Sequence, residues 1–154
     1  MADTYTQIYI QFVFAVQNRV SLIHPDWEQQ LYKYITGIVQ NKSHKMIAIN
    51  GMPDHLHIFI GFKPVDHISE LMKVVKGEST KWINEKGFVK KKFRWQAGYG
   101  AFSYSRSHID RVYHYIMNQK EHHQRKSFLE EYTGLLEKFD VDFDERYIFK
   151  PVNG

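Results

Sequence analysis

The sequence predicts an α+β fold with helices on one face of a mainly antiparallel sheet, a single domain over residues 1–154 whose acidic tail begins at about residue 137. Three observations carry this expectation. Residues 5–16 put Ile8, Ile10, Phe12, Phe14 and Val16 on one face with a period of two, the mark of a half-buried strand. Two more strand-like runs, 45–52 and 55–62, are separated only by Pro53 and Asp54, which makes them a hairpin. Stretches with helical spacing alternate with these runs, in the order strand, helix, strand, strand, helix, short strands, helix.

Each element has its own residue logic. In the first strand Ile8, Ile10, Phe12, Phe14 and Val16 share one face. Pro25 and Asp26 open a helix to about Val39, with Trp27, Leu31, Tyr34, Ile35 and Ile38 along its apolar stripe. The return arm of the hairpin points Leu56, Ile58, Ile60 and Phe62 into a core. Asp66 is placed as N-cap of a helix to about Asn84, striped by Ile68, Leu71, Met72, Val75, Trp82 and Ile83. Beyond Gly87 come two short strand-like pieces divided by Gly98 and Gly100. Ser107 and Asp110 make a capping-box-like start to a last helix, expected to run unbroken to about Lys126. The stretch from Asp140 is expected to pack loosely.

Composition narrows the chemistry. The chain has no cysteine, which excludes a disulfide scaffold, thiolate metal sites and a thiol nucleophile. It has no apolar run long enough to span a bilayer and no basic-then-apolar leader after Met1, so a cytoplasmic protein without membrane contact is expected. The net charge of +4 is uneven: residues 1–62 sum to 0, residues 63–126 to +8 and residues 127–154 to −4. A basic middle segment suits a polyanion, because Lys and Arg beside phosphates release condensed counterions. Within it Lys90, Lys91, Lys92 and Arg94 interleave with Phe88, Phe93 and Trp95, a pattern that can track a DNA backbone and stack on unpaired bases.

Two constellations carry specific chemistry. His55 and His57 flank Leu56 on a strand, so both imidazoles point the same way and present themselves to one divalent metal ion from an exposed sheet face. Tyr115 and Gln119 stand four apart on the last helix, about 100° from the stripe of Ile109, Val112 and Ile116, at the border of the core. A phenol with a pKa of about 10 is a weak nucleophile at neutral pH, and a nearby divalent cation on a polarised phosphate brings it into play. The Gln119 carbonyl oxygen is a suitable ligand beside two histidines for Mg²⁺ or Mn²⁺. His114, His122 and His123 crowd the same helix and offer further metal ligands, but they read first as exposed residues near a helix end, favoured there by the dipole. Asp140, Asp142 and Asp144 have the spacing of a calcium loop, but Glu145 stands where that turn needs Gly and no twelfth-position Glu follows.

His55-Leu56-His57 followed by Tyr115-x-x-x-Gln119 resembles the single-tyrosine HUH transposases of small single-strand insertion sequences. The likeness extends to the Ile10–Phe14 strand, Pro53-Asp54, the helix around Lys76-Gly77-Glu78-Ser79, and the Trp95–Tyr99 and Phe102–Ser105 pieces. It implies an RRM-like or ferredoxin-like fold and an enzyme that cleaves and rejoins single-stranded DNA. On matching positions Tyr115 would be the nucleophile forming a 5′-phosphotyrosine, and His55, His57 and Gln119 would hold the metal. The likeness further implies single-stranded DNA hairpins at element ends as partners, and a homodimer in which the tyrosine helix of one subunit can serve the histidines of the other. Two alternatives stand beside it: a repurposed nucleic-acid-binding protein that keeps the fold, and a replication-initiator nuclease with the same His-x-His chemistry, which would usually carry further domains.

Overall fold

The computed structural model describes residues 4–142; most of the acidic tail, including Asp144 and Glu145 of the calcium-like spacing, lies outside them. Four strands form one antiparallel sheet: β1 (Tyr9–Ala15), β2 (Lys45–Met52), β3 (His55–Gly61) and β4 (Gly100–Tyr104), in spatial order β2-β3-β1-β4. The α+β class and the β2–β3 hairpin stand as the sequence predicts. Of the two strand-like pieces expected before residue 105 only β4 is a strand; the other is a single bridge between Val16 and Trp95.

One sheet face carries the main core. Ile10, Phe12 and Phe14 of β1 lie opposite Ile60, Ile58 and Leu56 of β3, and helices α1 (Pro25–Asn41) and α2 (Ile68–Lys86) cover them. Asp66 does not cap α2. His67 takes that position, while one Asp66 oxygen accepts from the His67 amide and the other lies 3.0 Å from His44 Nε2. The aromatics between the lysines turn inward: Phe93 and Trp95 are buried and Phe88 stacks on Trp27, so base stacking is not open to them.

The second face is covered too, which the sequence reading did not foresee. Strand alternation places Gln11, Val13 and Ala15 of β1, Asn50 of β2, and His55, His57 and Phe59 of β3 on that side. Across them pack α3 (Ile109–Met117), a single turn α4 (Gln119–His122) and α5 (Phe128–Lys138). The expected long helix is thus two helices, broken at Asn118 with φ −98° and ψ 21°. Ser107 makes no capping bond to α3; its hydroxyl bonds the Ser105 hydroxyl instead. Helix α5 was not foreseen at all. Ser127 and Glu130 close a reciprocal capping box at its start, and Phe128, Tyr132, Leu135 and Leu136 pack it on Val13, Ala15 and Phe102. Its last turn contains Glu137 and Lys138, where the tail was expected to begin. Gly100 matters here for closeness: a Cβ on it would lie 2.8 Å from the Tyr132 ring and 2.9 Å from the Phe102 ring, so any side chain would force these rings to shift.

Candidate active site

The strand register builds the site's floor. His57 sits between Asn50 on β2 and Val13 on β1, and His55 lies two residues back on the same face. Covered by α3, α4 and α5, both imidazoles are fully buried rather than exposed. Phe128 stacks on His55 at 4.1 Å between ring centroids. The outer nitrogen of each ring is anchored from the protein side: His55 Nδ1 is 2.8 Å from Asp54 Oδ1, and His57 Nδ1 is 2.9 Å from Gln11 Nε2. Both Nε2 atoms therefore face the same interior point.

Glu131 of α5 occupies that point, with its side chain 2% exposed. One carboxylate oxygen lies 3.0 Å from His57 Nε2, 3.1 Å from His123 Nε2 and 3.5 Å from His55 Nε2. The other accepts from Gln119 Nε2 at 3.0 Å and from the Tyr115 hydroxyl in a short hydrogen bond. The break at Asn118 does not separate Tyr115 from Gln119; both reach the same carboxylate. His123, expected to be exposed, is instead drawn into the cluster with a 6% exposed side chain, and its Nε2 lies 3.0 Å from Gln119 Oε1. His114 is exposed, as expected.

The cluster's electrostatics follow from burial and pairing. Burial opposes ionisation of Glu131, but attraction to His57 and the hydrogen bonds from His123, His55 and His57 outweigh it and hold the carboxyl well below its ordinary range. Burial also lowers the His55 pKa, yet hydrogen bonds to Asp54 and Glu131 reverse the sign and raise it. His57 stays lowered, because burial outweighs the pull of Glu131 and the neighbouring His55 and His123 add to it. The Tyr115 phenol is raised by burial, by the Glu131 charge and by its bond to that carboxylate. With the carboxylate in place, Tyr115 is a hydrogen-bond donor and not a phenolate.

The donor set fits a divalent metal. His55, His57, His123 and Glu131 offer ligand atoms within 4.8 Å of one another, and Gln119 Oε1 lies 3.4 Å from His55 Nε2. The anchored Nδ1 atoms supply the outer contacts that metal-binding imidazoles require. For His57 this needs the Gln11 amide turned by 180°, so that its oxygen accepts from Nδ1–H; the Tyr104 hydroxyl, now donating to Gln11 at 2.9 Å, can equally accept. Lys90, Lys91, Lys92 and Arg94 are not part of this cluster. They are exposed and line a separate cleft with Val16, Gln17 and Asn18, whereas the outer edge of Tyr115 borders a cleft lined by Arg111, His114, His122 and Arg125.

The model of a protein family described as transposase IS200 like matches residues 4–119, most of the chain. The chain belongs to this family. Its fold is also that of two solved structures. A Deinococcus radiodurans R1 protein assigned as a transposase is 19% identical, with 77% of this chain and 95% of that chain covered and a TM-score of 0.63. A REP-associated tyrosine transposase bound to a REP hairpin is 17% identical, with 77% and 70% covered and a TM-score of 0.57. No curated protein matches the sequence. Among the described residues no helix is long and apolar enough to cross a membrane.

His123, α5 and Glu131 lie beyond the matched span; sequence reasoning missed Glu131 and weighed His123 as a ligand only to favour an exposed position. Their signals were present. His123 stands four residues after Gln119, and Ser127-Phe128-Leu129-Glu130 has capping-box spacing ahead of Glu131, Tyr132, Leu135 and Leu136.

Proposed function

We propose that this member of the IS200-like transposase family cleaves and rejoins single-stranded DNA through Tyr115. One observation supports it above the others: the Tyr115 hydroxyl, Gln119 and two strand histidines meet at one buried point although 60 positions separate Tyr115 from His55. In the reaction the Tyr115 oxygen bonds to phosphorus as the bond from phosphorus to the 3′ oxygen breaks. The phenolic proton passes to solvent as the P–O bond forms, and the 3′ oxygen takes up a proton from solvent and leaves as a hydroxyl. Rejoining is the reverse attack by a 3′ hydroxyl on the 5′-phosphotyrosine. His55, His57 and Gln119 would hold a divalent metal, with His123 and Glu131 within reach. Such an ion neutralises phosphate charge and polarises the phosphorus centre. Three imidazoles favour Mn²⁺ over Mg²⁺, which prefers oxygen ligands.

The substrate in this reading is a single strand carrying a hairpin at an element end, with the +8 segment of residues 63–126 supplying phosphate contacts. A homodimer is compatible with this, but a second subunit is not needed to bring Tyr115 to the histidines, since one chain unites them. The test is a covalent adduct. Wild-type protein incubated with a labelled strand from the palindromic DNA flanking its gene should acquire a DNA adduct that peptide mapping places on Tyr115, and Tyr115→Phe should acquire none while binding the strand normally. An adduct on Tyr113 or Tyr104 would reassign the nucleophile.

A further inference from the structure

Asn50 is out of place as a buried residue of a strand, where Asn is disfavoured, and it is 8% exposed. Its two donors are nevertheless satisfied by one neighbour. Asn50 Nδ2 donates to the carbonyl of Ile116 at 3.1 Å and to that of Met117 at 3.0 Å. These belong to the last turn of α3, whose final carbonyls have no partner within the helix. A strand side chain thus closes the helix end just where the chain breaks at Asn118. The other end of the Asn50 amide faces a second set of groups: its oxygen is 3.4 Å from the Tyr32 hydroxyl and 3.5 Å from Lys120 Nζ. Lys120, the residue after Gln119, also donates to Gly51 O at 3.2 Å and to the buried Glu28 carboxylate of α1 at 3.1 Å.

We propose that Asn50, seconded by Lys120, is a positioning residue for the tyrosine reaction: it fixes the α3–α4 junction so that Tyr115 on one side and Gln119 on the other reach the histidine cluster of their own chain. The inference rests on the tyrosine-transfer function proposed above. Geometry supports it in three ways. Asn50 is the cross-strand neighbour of His57, so the same strand pairing that places the histidine places the clamp. Tyr115 lies one residue before the clamped carbonyls and Gln119 two residues after them, which leaves little slack between clamp and site. No Gly or Pro occupies residues 109–122, so the break is imposed from outside the helix.

Asn50→Asp tests this with an isosteric change. It keeps an acceptor for Tyr32 and Lys120, loses both donated bonds and sets an oxygen against the two carbonyls. Misplacement on the scale of 1 Å lowers reaction rates about 100-fold, so cleavage at saturating strand should fall by about 10- to 100-fold while the dissociation constant for that strand changes less than about twofold. A 3-fluorotyrosine placed at position 115 supplies a readout independent of activity. Its fluorine signal should be a single line in the wild type and should broaden or split in Asn50→Asp as the ring leaves its place beside Glu131. Lys120→Met, which keeps the two bonds that Asn50 donates to α3 but removes the Lys120 ties to the Asn50 oxygen, to Gly51 and to α1, should show the same changes at smaller size, and decides the matter if Asn50→Asp does not fold. Wild-type cleavage with an unchanged fluorine line in the variants would overturn the proposal. So would rate and strand affinity falling together with the melting temperature, the pattern of a merely structural role. Absence of any adduct in the wild type would overturn the tyrosine-transfer function while the fluorine measurement still decides the role of Asn50.

Discussion

Replacing Glu131 by Gln removes the charge at the centre of the cluster while keeping its shape, and the effect on the metal-free protein can be sized. The carboxylate receives Tyr115, Gln119, His57 and His123 within hydrogen-bonding distance, and it is 2% exposed. A Gln side chain retains one acceptor oxygen and turns an amide nitrogen toward groups that now donate. Hydrogen bonds to charged groups contribute about 1.5–3 kcal/mol each, and breaking a buried ion pair costs about 3–5 kcal/mol. The raised pKa of His55, which draws on Glu131, marks such a pair. A loss of about 3–5 kcal/mol at pH 7 is therefore expected, a large share of the roughly 5–15 kcal/mol that holds a domain folded. For a chain of this size that lowers the melting temperature by about 10 °C or more.

The pH dependence separates a lost charge from lost packing. The Glu131 pKa is lowered in the folded state, so its stabilisation is fully present above the unfolded carboxylate value of about 4.3 and is lost as pH falls below it. Below that value the unfolded chain binds one more proton than the folded one at this site, worth about 1.4 kcal/mol per pH unit. His57, with its own pKa lowered, adds to the same trend below about pH 6.5. Urea titrations of EDTA-treated protein at pH 7, 4.5 and 3.5 should show a wild-type stability that falls steeply with acid and a Glu131→Gln profile flatter by roughly one proton's slope. Parallel profiles with a difference below about 1 kcal/mol would refute the reasoning, because no ionised carboxylate would then sit at the cluster's centre.

Three other outcomes are expected. His57→Ala should abolish cleavage and nearly eliminate Mn²⁺ binding followed by electron paramagnetic resonance, and Asp54→Ala, which removes the partner of His55 Nδ1, should weaken that binding by about 10- to 100-fold; full cleavage by both in EDTA would exclude a metal role. Neutralising Lys90, Lys91 and Lys92 together should weaken strand binding and flatten the dependence of log affinity on log salt by up to about 0.7–0.9 per lost phosphate contact; an unchanged slope would make the cluster a bystander. Mixed Tyr115→Phe and His57→Ala proteins should remain inactive, since each tyrosine meets the histidines of its own chain; verified heterodimers that cut DNA would establish exchange of the tyrosine helix.

Much of the scaffold was legible because it is written in local periodicity. The alternation in β1, the Pro53-Asp54 connection and the stripes of α1 and α2 each follow from contacts that a neighbouring layer must bury. The family resemblance brought Tyr115, His55, His57 and Gln119 into one reading, and the structure gathers them. What escaped is what depends on long-range contact. The break at Asn118 has no local breaker, because the group that holds it, Asn50, is more than sixty residues away. The Asp66 carboxylate was drawn from the cap position by His44, a partner 22 residues earlier. Helix α5 did carry a local signal, but the acidic composition around it reads as a solvated tail until Glu131 is seen facing inward.

The second sheet face is where local rules and the observed structure part company. Gln11, Asn50, His55, His57, Gln119 and Glu131 are all buried there, although a face that served stability alone would hold apolar side chains. Polar groups in such a place cost free energy unless they satisfy one another, and replacing a buried ionic cluster by packed apolar residues is often neutral or stabilising. The face does satisfy itself: Gln11 holds His57, Asp54 holds His55, Asn50 holds the end of α3, and Glu131 gathers the rest. Natural sequences depart from the local rules mainly at functional sites. A network that spends this much buried polarity around two imidazoles fits the proposed chemistry, and of the tyrosine hydroxyls it holds, Tyr104 on Gln11, Tyr32 on Asn50 and Tyr115 on Glu131, the last is the one bonded to the carboxylate that also meets His55 and His57.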